Sequence, residues 1–352
     1  MFDLTSAPFY MHEFFAGSGL VALAMQGDFH SVWANDIDEK KEKFYSLNFG
    51  EKYFCLKDIK EVCGKDLPFA HLSWASFPCQ DLSLAGKLGG IQAQRSGLVW
   101  DWLRIISEMN DKPKILALEN VAGFLSAHNG DNYRAVHLAL HEMGYKVGAM
   151  LINADRFIPQ SRLRVFVVAV KDVAIPNGLM SDGPIWIHSD VVKKFSSLPG
   201  WVWWNIPEPT KRTQSLTGLL ENAPFDKDEV LSLIAPQHKK ILEESSDIVA
   251  TGYKRTRQGK QYLELRFDGI AGCLRTPGGG SSRQYIVIKK EGETHARLLT
   301  AREVVRLMGA PDTYQIPFSY NETYKAMGDA VALPVVRYLS NNLLKSLADA
   351  VY

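Results

Sequence analysis

Apolar and polar positions alternate along the first 170 residues in a way that predicts strands separated by helices. Apolar runs of strand length recur at residues 9–15, 31–35, 71–77, 115–118 and 164–170. Between the third and fourth runs, apolar residues recur at helical spacing, at Leu98, Trp102, Ile105, Ile106 and Met109. Such alternation is typical of a parallel sheet covered by helices. We therefore predict an α/β fold for this part of the chain.

The pattern changes after Asp172, where proline, glycine and tryptophan interrupt any long periodicity. Helical sequence resumes near residue 299, where Thr300 and Glu303 have the spacing of a capping box. A last helix follows Pro334 and carries an apolar residue at every fourth position, which predicts that it docks on the first domain. We therefore predict a first domain of residues 1–175 and 296–352, and a smaller second domain of residues 176–295.

Composition narrows the class of protein. The 352 residues are 46% hydrophobic and 22% charged, which argues against a disordered chain. No apolar run approaches the roughly 18 residues of a membrane span, and acidic residues near the start argue against a secretory signal. The four cysteines show no metal-type CxxC repeat. We expect a protein that stays inside the cell, with reduced thiols, no metal site and no membrane partner.

Charge is unevenly distributed although the net charge is only +1. Residues 254–290 contain nine basic residues and two acidic ones. A solvated basic face and a surface that contacts phosphates both account for this segment.

A glycine turn follows the first predicted strand. Gly17, Gly19 and Ala22 fit the pattern G-x-G-x-x-A, and Asp36 ends the second strand. Glycines allow a ligand to approach the backbone, and an acid at that place can accept hydrogen bonds from ribose hydroxyls. This layout indicates a nucleotide cofactor but does not distinguish a nicotinamide dinucleotide from S-adenosylmethionine. The alternative is an ordinary tight turn between a strand and a helix.

Two reactive side chains follow later strands at the same predicted edge of the sheet. Cys79 lies just past the third strand and is a candidate nucleophile, although a free cysteine is often only a small buried hydrophobe. The polar, glycine-bearing residues after it predict a mobile loop. Glu119 follows residues 115–118, where it can handle a proton beside the nucleophile or merely cap a helix.

Two further groups have competing interpretations. Arg162 and Arg164 precede a predicted buried strand, and alternation puts them on the same side of the chain. They are either functional residues or ordinary surface arginines. Trp201, Trp203 and Trp204 invite a base-stacking interpretation, but we predict that they form the core of the second domain.

Taken together, the motifs and their order resemble the DNA cytosine-5 methyltransferases over nearly the whole chain. The matching motifs are Phe15-Ala16-Gly17-Ser18-Gly19, Asn35-Asp36, Asp58-Ile59, Phe77-Pro78-Cys79-Gln80-Asp81-Leu82-Ser83, Ser96-Gly97-Leu98, Glu119-Asn120-Val121, Gln160-x-Arg162-x-Arg164, Arg297-x-Leu299-Thr300-x-Arg302-Glu303 and Gly328-Asp329-Ala330-Val331. The chain departs from the family in two places: Asp36 stands where Glu is usual, and Asp329 stands where Asn is usual.

The resemblance implies a fold, a reaction and a set of site residues. The fold is a Rossmann-like methyltransferase sheet with a smaller target-recognition domain, and the reaction methylates C5 of a flipped-out cytosine through an adduct between Cys79 and C6. The implied catalytic residues are Cys79, Glu119, Arg162 and Arg164. The implied contacts to S-adenosylmethionine are Phe15, Gly17, Gly19, Asp36, Asp58, Ile59, Pro78, Asp329 and Val331. The implied contacts to double-stranded DNA are Gln80, Ser83, Lys87, Arg95, Arg275 and Arg283.

The resemblance also implies a compact prokaryotic or phage-type enzyme, which we expect to be monomeric and to act in the cytoplasm. Three alternatives remain open: a transfer RNA methyltransferase of the same fold, a catalytically silent DNA-binding relative, and a nicotinamide oxidoreductase. The large basic insert favours DNA as the substrate, the intact Cys79, Glu119 and Arg164 favour catalysis, and only the glycine turn with Asp36 supports the oxidoreductase.

Overall fold

The computed structural model describes Phe2 and residues 7–78, 97–276 and 282–351. Its strands are β1 (Phe9–Phe14), β2 (Phe29–Asp36), β3 (Phe54–Leu56), β4 (Leu72–Ala75), β5 (Ile115–Val121), β6 (Lys146–Asn153), β7 (Leu163–Val170), β8 (Ile248–Arg257), β9 (Lys260–Arg266), β10 (Tyr285–Lys290) and β11 (Glu293–Leu298). Its helices are α1 (Leu20–Met25), α2 (Glu39–Phe49), α3 (Leu98–Glu108), α4 (Asp131–Glu142), α5 (Asp190–Lys193), α6 (Pro236–Glu244), α7 (Ala301–Arg306), α8 (Tyr320–Asp329), α9 (Leu333–Leu339) and α10 (Lys345–Val351).

Within the described ranges, β1 to β7 form a seven-stranded sheet in the order β3-β2-β1-β4-β5-β7-β6. β1 runs parallel to β2 and β4, and β5 runs parallel to β4, as the sequence predicts. β7 is antiparallel to β5, which the sequence does not predict. The reason is that β7 is uniformly apolar from Val165 onward, like a buried parallel strand, so its pattern carries no information about direction.

Helix α3 shows how the sheet is covered. The residues spaced along one side of α3 are fully or almost fully buried: Val99, Trp102, Leu103, Ile105 and Ile106. The Trp102 indole also donates a hydrogen bond of 3.0 Å to the Ser73 hydroxyl on β4. The predicted helix is therefore present, and its apolar stripe forms part of the core beside the sheet.

The chain divides into two compact units at positions that differ from the predicted domain boundaries. The first unit comprises Met1–Ile152, Leu163–Glu208 and Val335–Tyr352, and the second comprises Asn153–Arg162 and Pro209–Pro334. The tryptophans predicted for the core of the second domain lie in the first unit instead. Trp204 is fully buried there, and its indole donates to the Val168 carbonyl at 3.1 Å.

The last helical stretch belongs to the first unit. The Arg337 guanidinium donates to the carbonyls of Leu23 at 2.8 Å and Ala24 at 3.2 Å, at the end of α1. The Ser340 hydroxyl donates to the Asp28 carboxylate at 2.8 Å. These contacts hold the C-terminal stretch against the start of the chain.

The second unit contains an antiparallel sheet in the order β11-β10-β8-β9. Helix α7 begins with the predicted capping box, because the Thr300 hydroxyl accepts from the Glu303 amide and the Glu303 carboxylate accepts from the Thr300 amide. Glu303 also forms a fully buried ion pair of 2.7 Å with Arg297. The predicted start of this helix is confirmed.

Candidate active site

The glycine turn after β1 has left-handed backbone at Gly17 (φ 57°) and Gly19 (φ 77°). A Cβ at Gly19 would lie 2.3 Å from the Phe49 ring, so a side chain cannot be accommodated there. A Cβ at Gly17 would meet nothing nearer than 3.9 Å, so the backbone is open on that side. Phe15, just before the turn, also has a positive φ of 56°, a strained geometry that often marks a functional site. The turn therefore suits the close approach of a ligand.

Asp36 at the end of β2 is tied to this turn. One of its carboxylate oxygens accepts from the Gly17 amide at 3.0 Å, and the other accepts from the amides of Ile37 at 2.8 Å and Asp38 at 3.0 Å. A carboxylate has about four acceptor positions, so about one remains for a ribose hydroxyl. Aspartate, which is shorter than the glutamate usual in the family, fits the predicted role in cofactor binding. Backbone amides already occupy most of its hydrogen-bond acceptor positions.

Two ionisable groups of β1 are buried beside the turn. Burial is the main reason that the pKa of Glu13 is raised to about 8; a hydrogen bond with the Ala22 backbone opposes this shift, and the nearby Asp36 charge adds to it. Burial lowers the pKa of His12 to about 4, although a hydrogen bond with the Pro68 carbonyl opposes this shift. Both groups are therefore biased toward their neutral forms.

Asp58 and Ile59 follow β3, which pairs in parallel with β2. The Asp58 side chain caps a short 3₁₀ turn by accepting from the Lys60 amide at 3.0 Å. The expected contact of Ile59 with the cofactor stays a prediction, and its side chain is buried in the core of the first unit. Its location inside the turn explains this, because the turn packs its first residue inward.

Sequence reasoning missed two exposed apolar residues at the same edge of the sheet. Ile37 directly follows Asp36 and is 67% exposed, and Leu56 lies opposite Asp36 in the register of β2 and β3. An apolar residue next to the acid at a strand end was the available signal. These side chains can cover the flat apolar face of a nucleobase.

Phe77 and Pro78 follow β4, and Asn120 on β5 holds this connection in place. The Asn120 amide donates to the Phe77 carbonyl at 2.9 Å, while its oxygen accepts from the Val121 amide at 2.8 Å. Pro78 is exposed. The predicted residues Cys79, Gln80, Ser83, Lys87 and Arg95 lie outside the described residues. Asn120 belongs to the Glu119-Asn120-Val121 motif, and its two hydrogen bonds place it beside this connection.

Glu119 and Arg164 meet at this edge as an ion pair. The Glu119 Oε1 lies 3.0 Å from the Arg164 Nε, and the side chains are only 7% and 13% exposed. Antiparallel pairing of β5 with β7 brings them together, since Val121 is opposite Arg164 in the register. Glu119 lies within β5, which continues to Val121 and is three residues longer than predicted. The arrangement holds a carboxylate and a guanidinium in fixed positions.

Arg162 is placed differently from the sequence expectation. It belongs to the second unit and is only 2% exposed. Its guanidinium donates to the carbonyls of Leu274 and Gly328, each at 2.9 Å, and to the Ala330 carbonyl at 2.5 Å. The NH1 and NH2 groups of Arg162 are thus directed at backbone carbonyls inside this unit, and its expected contact with a base or phosphate stays a prediction.

The remaining predicted residues also lie in the second unit. Asp329 accepts a hydrogen bond from the Thr276 hydroxyl, and Val331 is buried. Arg275 is exposed, and the Arg283 guanidinium lies 5.8 Å from the centre of the Tyr320 ring. Gly328 packs closely on the neighbouring segment, because a Cβ there would lie 2.8 Å from the Arg275 carbonyl carbon.

The described ranges hold no cluster of three or more His, Cys, Asp or Glu side chains that could bind a metal ion. Among the described helices, none is long and apolar enough to cross a membrane. Cys55, Cys63 and Cys273 are not joined in disulfide bonds.

Comparison with known proteins identifies close similarities over almost the full chain. Residues 9–345 match the family of C-5 cytosine-specific DNA methylases. The chain is 30% identical to the type II methyltransferase M.HhaI of Haemophilus parahaemolyticus, covering 95% of this chain and 94% of that protein. It is 26% identical to the type II methyltransferase M.HaeII of Haemophilus aegyptius, covering 95% and 92%.

Solved structures show the same fold. The Dnmt2 methyltransferase of S. pombe superposes with a TM-score of 0.60 at 20% identity, covering 94% of this chain and 97% of that one. A putative DNA modification methyltransferase from an E. coli prophage gives a TM-score of 0.57 at 19% identity, covering 97% and 99%.

The family resemblance, the methyltransferase fold and the predicted cofactor, S-adenosylmethionine, are confirmed by these matches. The open turn at Gly17 and the remaining acceptor position of Asp36 fit that cofactor. The chain therefore belongs to the C-5 cytosine-specific DNA methylases, which transfer a methyl group from S-adenosylmethionine to C5 of cytosine in DNA.

Proposed function

We propose that this enzyme methylates cytosine in one short word of duplex DNA through a covalent adduct between Cys79 and C6 of the base. The observation that supports this proposal is the buried Glu119–Arg164 ion pair. Asn120, the residue after Glu119, holds the carbonyl of Phe77, two positions before Cys79. The base-activating carboxylate and the chain that leads to the thiol are thus held by adjacent residues of one strand.

The chemistry requires activation of the ring, since C5 of cytosine is a poor nucleophile. The Cys79 thiolate adds to C6 while Glu119 shares a proton with N3, which places electron density on C5. S-adenosylmethionine supplies an electrophilic methyl group carried on a sulfonium. After C5 accepts the methyl, the C5 proton leaves and the bond between Cys79 and C6 breaks. The products are 5-methylcytosine, S-adenosylhomocysteine and one proton.

Arg164 keeps the Glu119 carboxylate in position through its Nε, and its NH1 donates to the Leu163 carbonyl at 2.9 Å. We assign to this guanidinium a role in steadying the flipped base. The target cytosine must leave the base stack, which costs a few kcal/mol. We assign the clamp on the flipped base to Gln80, Ser83, Lys87 and Arg95, and contacts with the DNA word to the second unit through Arg275 and Arg283.

We also infer that the enzyme is a monomer and acts on DNA in the bacterial cytoplasm. The type II methyltransferases of two Haemophilus species support a role beside a restriction enzyme.

The test is single-base mapping of 5-methylcytosine after incubation of unmethylated plasmid with the enzyme and S-adenosylmethionine. We expect methylation at one recurring short word. Cys79→Ser should abolish it, whereas Cys63→Ser, which changes an exposed cysteine, should not. Glu119→Gln should lower kcat by about 10²- to 10⁴-fold, the usual contribution of a positioned acid or base. Full activity of Cys79→Ser would contradict the proposal. A methylated product that RNase degrades would contradict it as well.

A further inference from the structure

The segment of residues 58–62 forms few backbone hydrogen bonds of its own. It is a single 3₁₀ turn, and its own backbone bonds run from the Glu61 amide to the Asp58 carbonyl and from the Val62 amide to the Ile59 carbonyl. Turns of this kind have poor hydrogen-bond geometry and are seldom stable alone. Asp58 and Ile59, which we assign to the cofactor site, form its beginning, so the position of the turn matters for cofactor binding.

Arg104 on α3 binds this turn through its carbonyls. Its NH1 donates to the Val62 carbonyl at 3.0 Å, and its NH2 donates to the carbonyls of Ile59 at 3.2 Å and Lys60 at 3.4 Å. Three carbonyls of one short turn are therefore bound by a single planar guanidinium. Lysine cannot reproduce this, because an ammonium is a compact charge without a fixed fork.

Acidic residues of α3 orient Arg104 and bind the next part of the chain. Glu108 Oε1 lies 2.9 Å from the Arg104 NH1, and Asp101 lies 3.7 Å from its Nε. The second oxygen of Glu108 accepts from the Gly64 amide at 2.9 Å. Gly64 lies directly on the helix, since a Cβ there would approach the Ile105 carbonyl oxygen to 2.1 Å.

We propose that Arg104, oriented by Glu108, is a positioning residue that fixes the turn of residues 58–62 against α3 for binding the adenosine part of S-adenosylmethionine. The inference rests on the proposed cofactor role of Asp58 and Ile59. Helix α3 is packed into the core through Trp102 and Ile105, so it provides a rigid support for the turn. Arg104 touches neither the cytosine nor the methyl group in this proposal and acts only through the turn.

The experiment compares cofactor binding with catalysis in the full-length enzyme. Arg104→Gln, Arg104→Lys and Glu108→Gln are titrated with S-adenosylmethionine by calorimetry, and kcat, the KM for each substrate and the melting temperature are measured. Arg104→Gln should raise Kd and KM for S-adenosylmethionine about tenfold, the scale expected for lost charge-assisted hydrogen bonds. The kcat at saturating cofactor and the KM for DNA should change by less than about twofold. Arg104→Lys should restore part of the affinity.

Arg306→Gln is the matched control. Arg306 forms a bidentate pair with Asp312 and also donates to the Leu219 carbonyl, but it lies in the second unit. Its loss should lower the melting temperature without changing the Kd for S-adenosylmethionine.

Two outcomes would overturn the inference in different ways. If Asp58→Asn weakens cofactor binding but Arg104→Gln and Glu108→Gln do not, the positioning role is wrong while the proposed site stands. If Asp58→Asn itself leaves cofactor affinity unchanged, the assigned role of the turn is wrong and the inference falls with it. Should Arg104→Gln not fold, Arg104→Lys and Glu108→Gln decide the question by the same titration.

Discussion

At the scale of single residues, Asp36 is the acid that we propose to connect the backbone of the turn to the cofactor. It accepts from three amides, including that of Gly17, and keeps about one acceptor position for a hydroxyl. Asp36→Asn should raise the Kd for S-adenosylmethionine about tenfold, because an amide accepts more weakly than a carboxylate. Calorimetry measures this effect. Asp38→Asn is the control, since Asp38 caps α2. Equal loss of affinity in both variants would contradict the account.

Glu13 gives a prediction for pH. Its pKa is about 8 in the folded protein against an ordinary 4.5, so folding favours the protonated form. This stabilisation is present below about pH 4.5 and is lost as the pH rises through 8. Glu13→Gln should therefore gain melting temperature relative to the wild type between pH 6.5 and 8.5. Glu142→Gln, at an exposed site, is the control. A difference that does not vary with pH would contradict the assigned burial of the acid.

Residues whose function depends on local order could be predicted from the sequence, whereas residues whose partners are distant could not. Gly17 and Asp36 could be predicted, because Gly17 follows the first predicted strand and Asp36 ends the second. The contacts of Arg162 could not, because its carbonyl partners belong to residues 274, 328 and 330 and only tertiary folding assembles them. The burial of the Ile59 side chain could not be predicted from the sequence either, because it depends on how the turn packs against α3.

At the scale of elements, two arginines of the basic segment, Arg255 and Arg257, lie on one side of the β8–β9 hairpin. Alternation puts Tyr253, Arg255, Arg257 and Glu264 on this side, as the register of the two strands requires. Glu264 holds both arginines, at 3.2 Å from the Arg255 Nε and 2.5 Å from the Arg257 NH2. Since one acid pairs with two cations, the hairpin keeps a positive surface with fixed guanidinium positions.

We expect this surface to contact DNA phosphates. Arg255→Gln with Arg257→Gln should reduce the slope of log K against log salt by about 1 to 2, because each phosphate contact contributes about 0.9. Fluorescence anisotropy with duplex DNA at several salt concentrations measures the slope. The control removes the exposed charges of Lys239 and Lys240 on α6. If the slope is unchanged in the arginine variant, the solvated-face interpretation is correct.

Where the sequence has strong periodicity, it predicts that a helix or strand is present. It does not predict the direction of a strand or the unit to which an element belongs. Helix α3 and the capping box of α7 appear where the pattern places them. The antiparallel direction of β7 was hidden by its uniformly apolar sequence. Trp204 lies in the first unit, where its hydrogen bond with the Val168 carbonyl is a tertiary contact that composition does not reveal.

At the scale of the whole molecule, the order of the motifs along the chain identifies the family. The fold explains how motifs that are distant in sequence come to lie at one edge of the sheet. Parallel strands β1, β2, β3, β4 and β5 end at one edge of the sheet, so the turn after β1, the acid of β2 and the chain after β4 come to the same edge. The acid of β5 reaches that edge as well. We therefore propose that the residues for cofactor binding and for base chemistry come from separate parts of the sequence and meet at this edge.

The most direct test of this account is covalent trapping on duplex DNA that carries 5-fluorocytosine at the methylated word. Fluorine cannot leave C5 as a proton does, so the bond between the enzyme and C6 should persist after methyl transfer. We predict a one-to-one complex that forms only with S-adenosylmethionine, with peptide mass spectrometry locating the modification at Cys79, and no complex with Cys79→Ser. A stable adduct on another residue, or none with the wild type on DNA that it methylates, would contradict the mechanism.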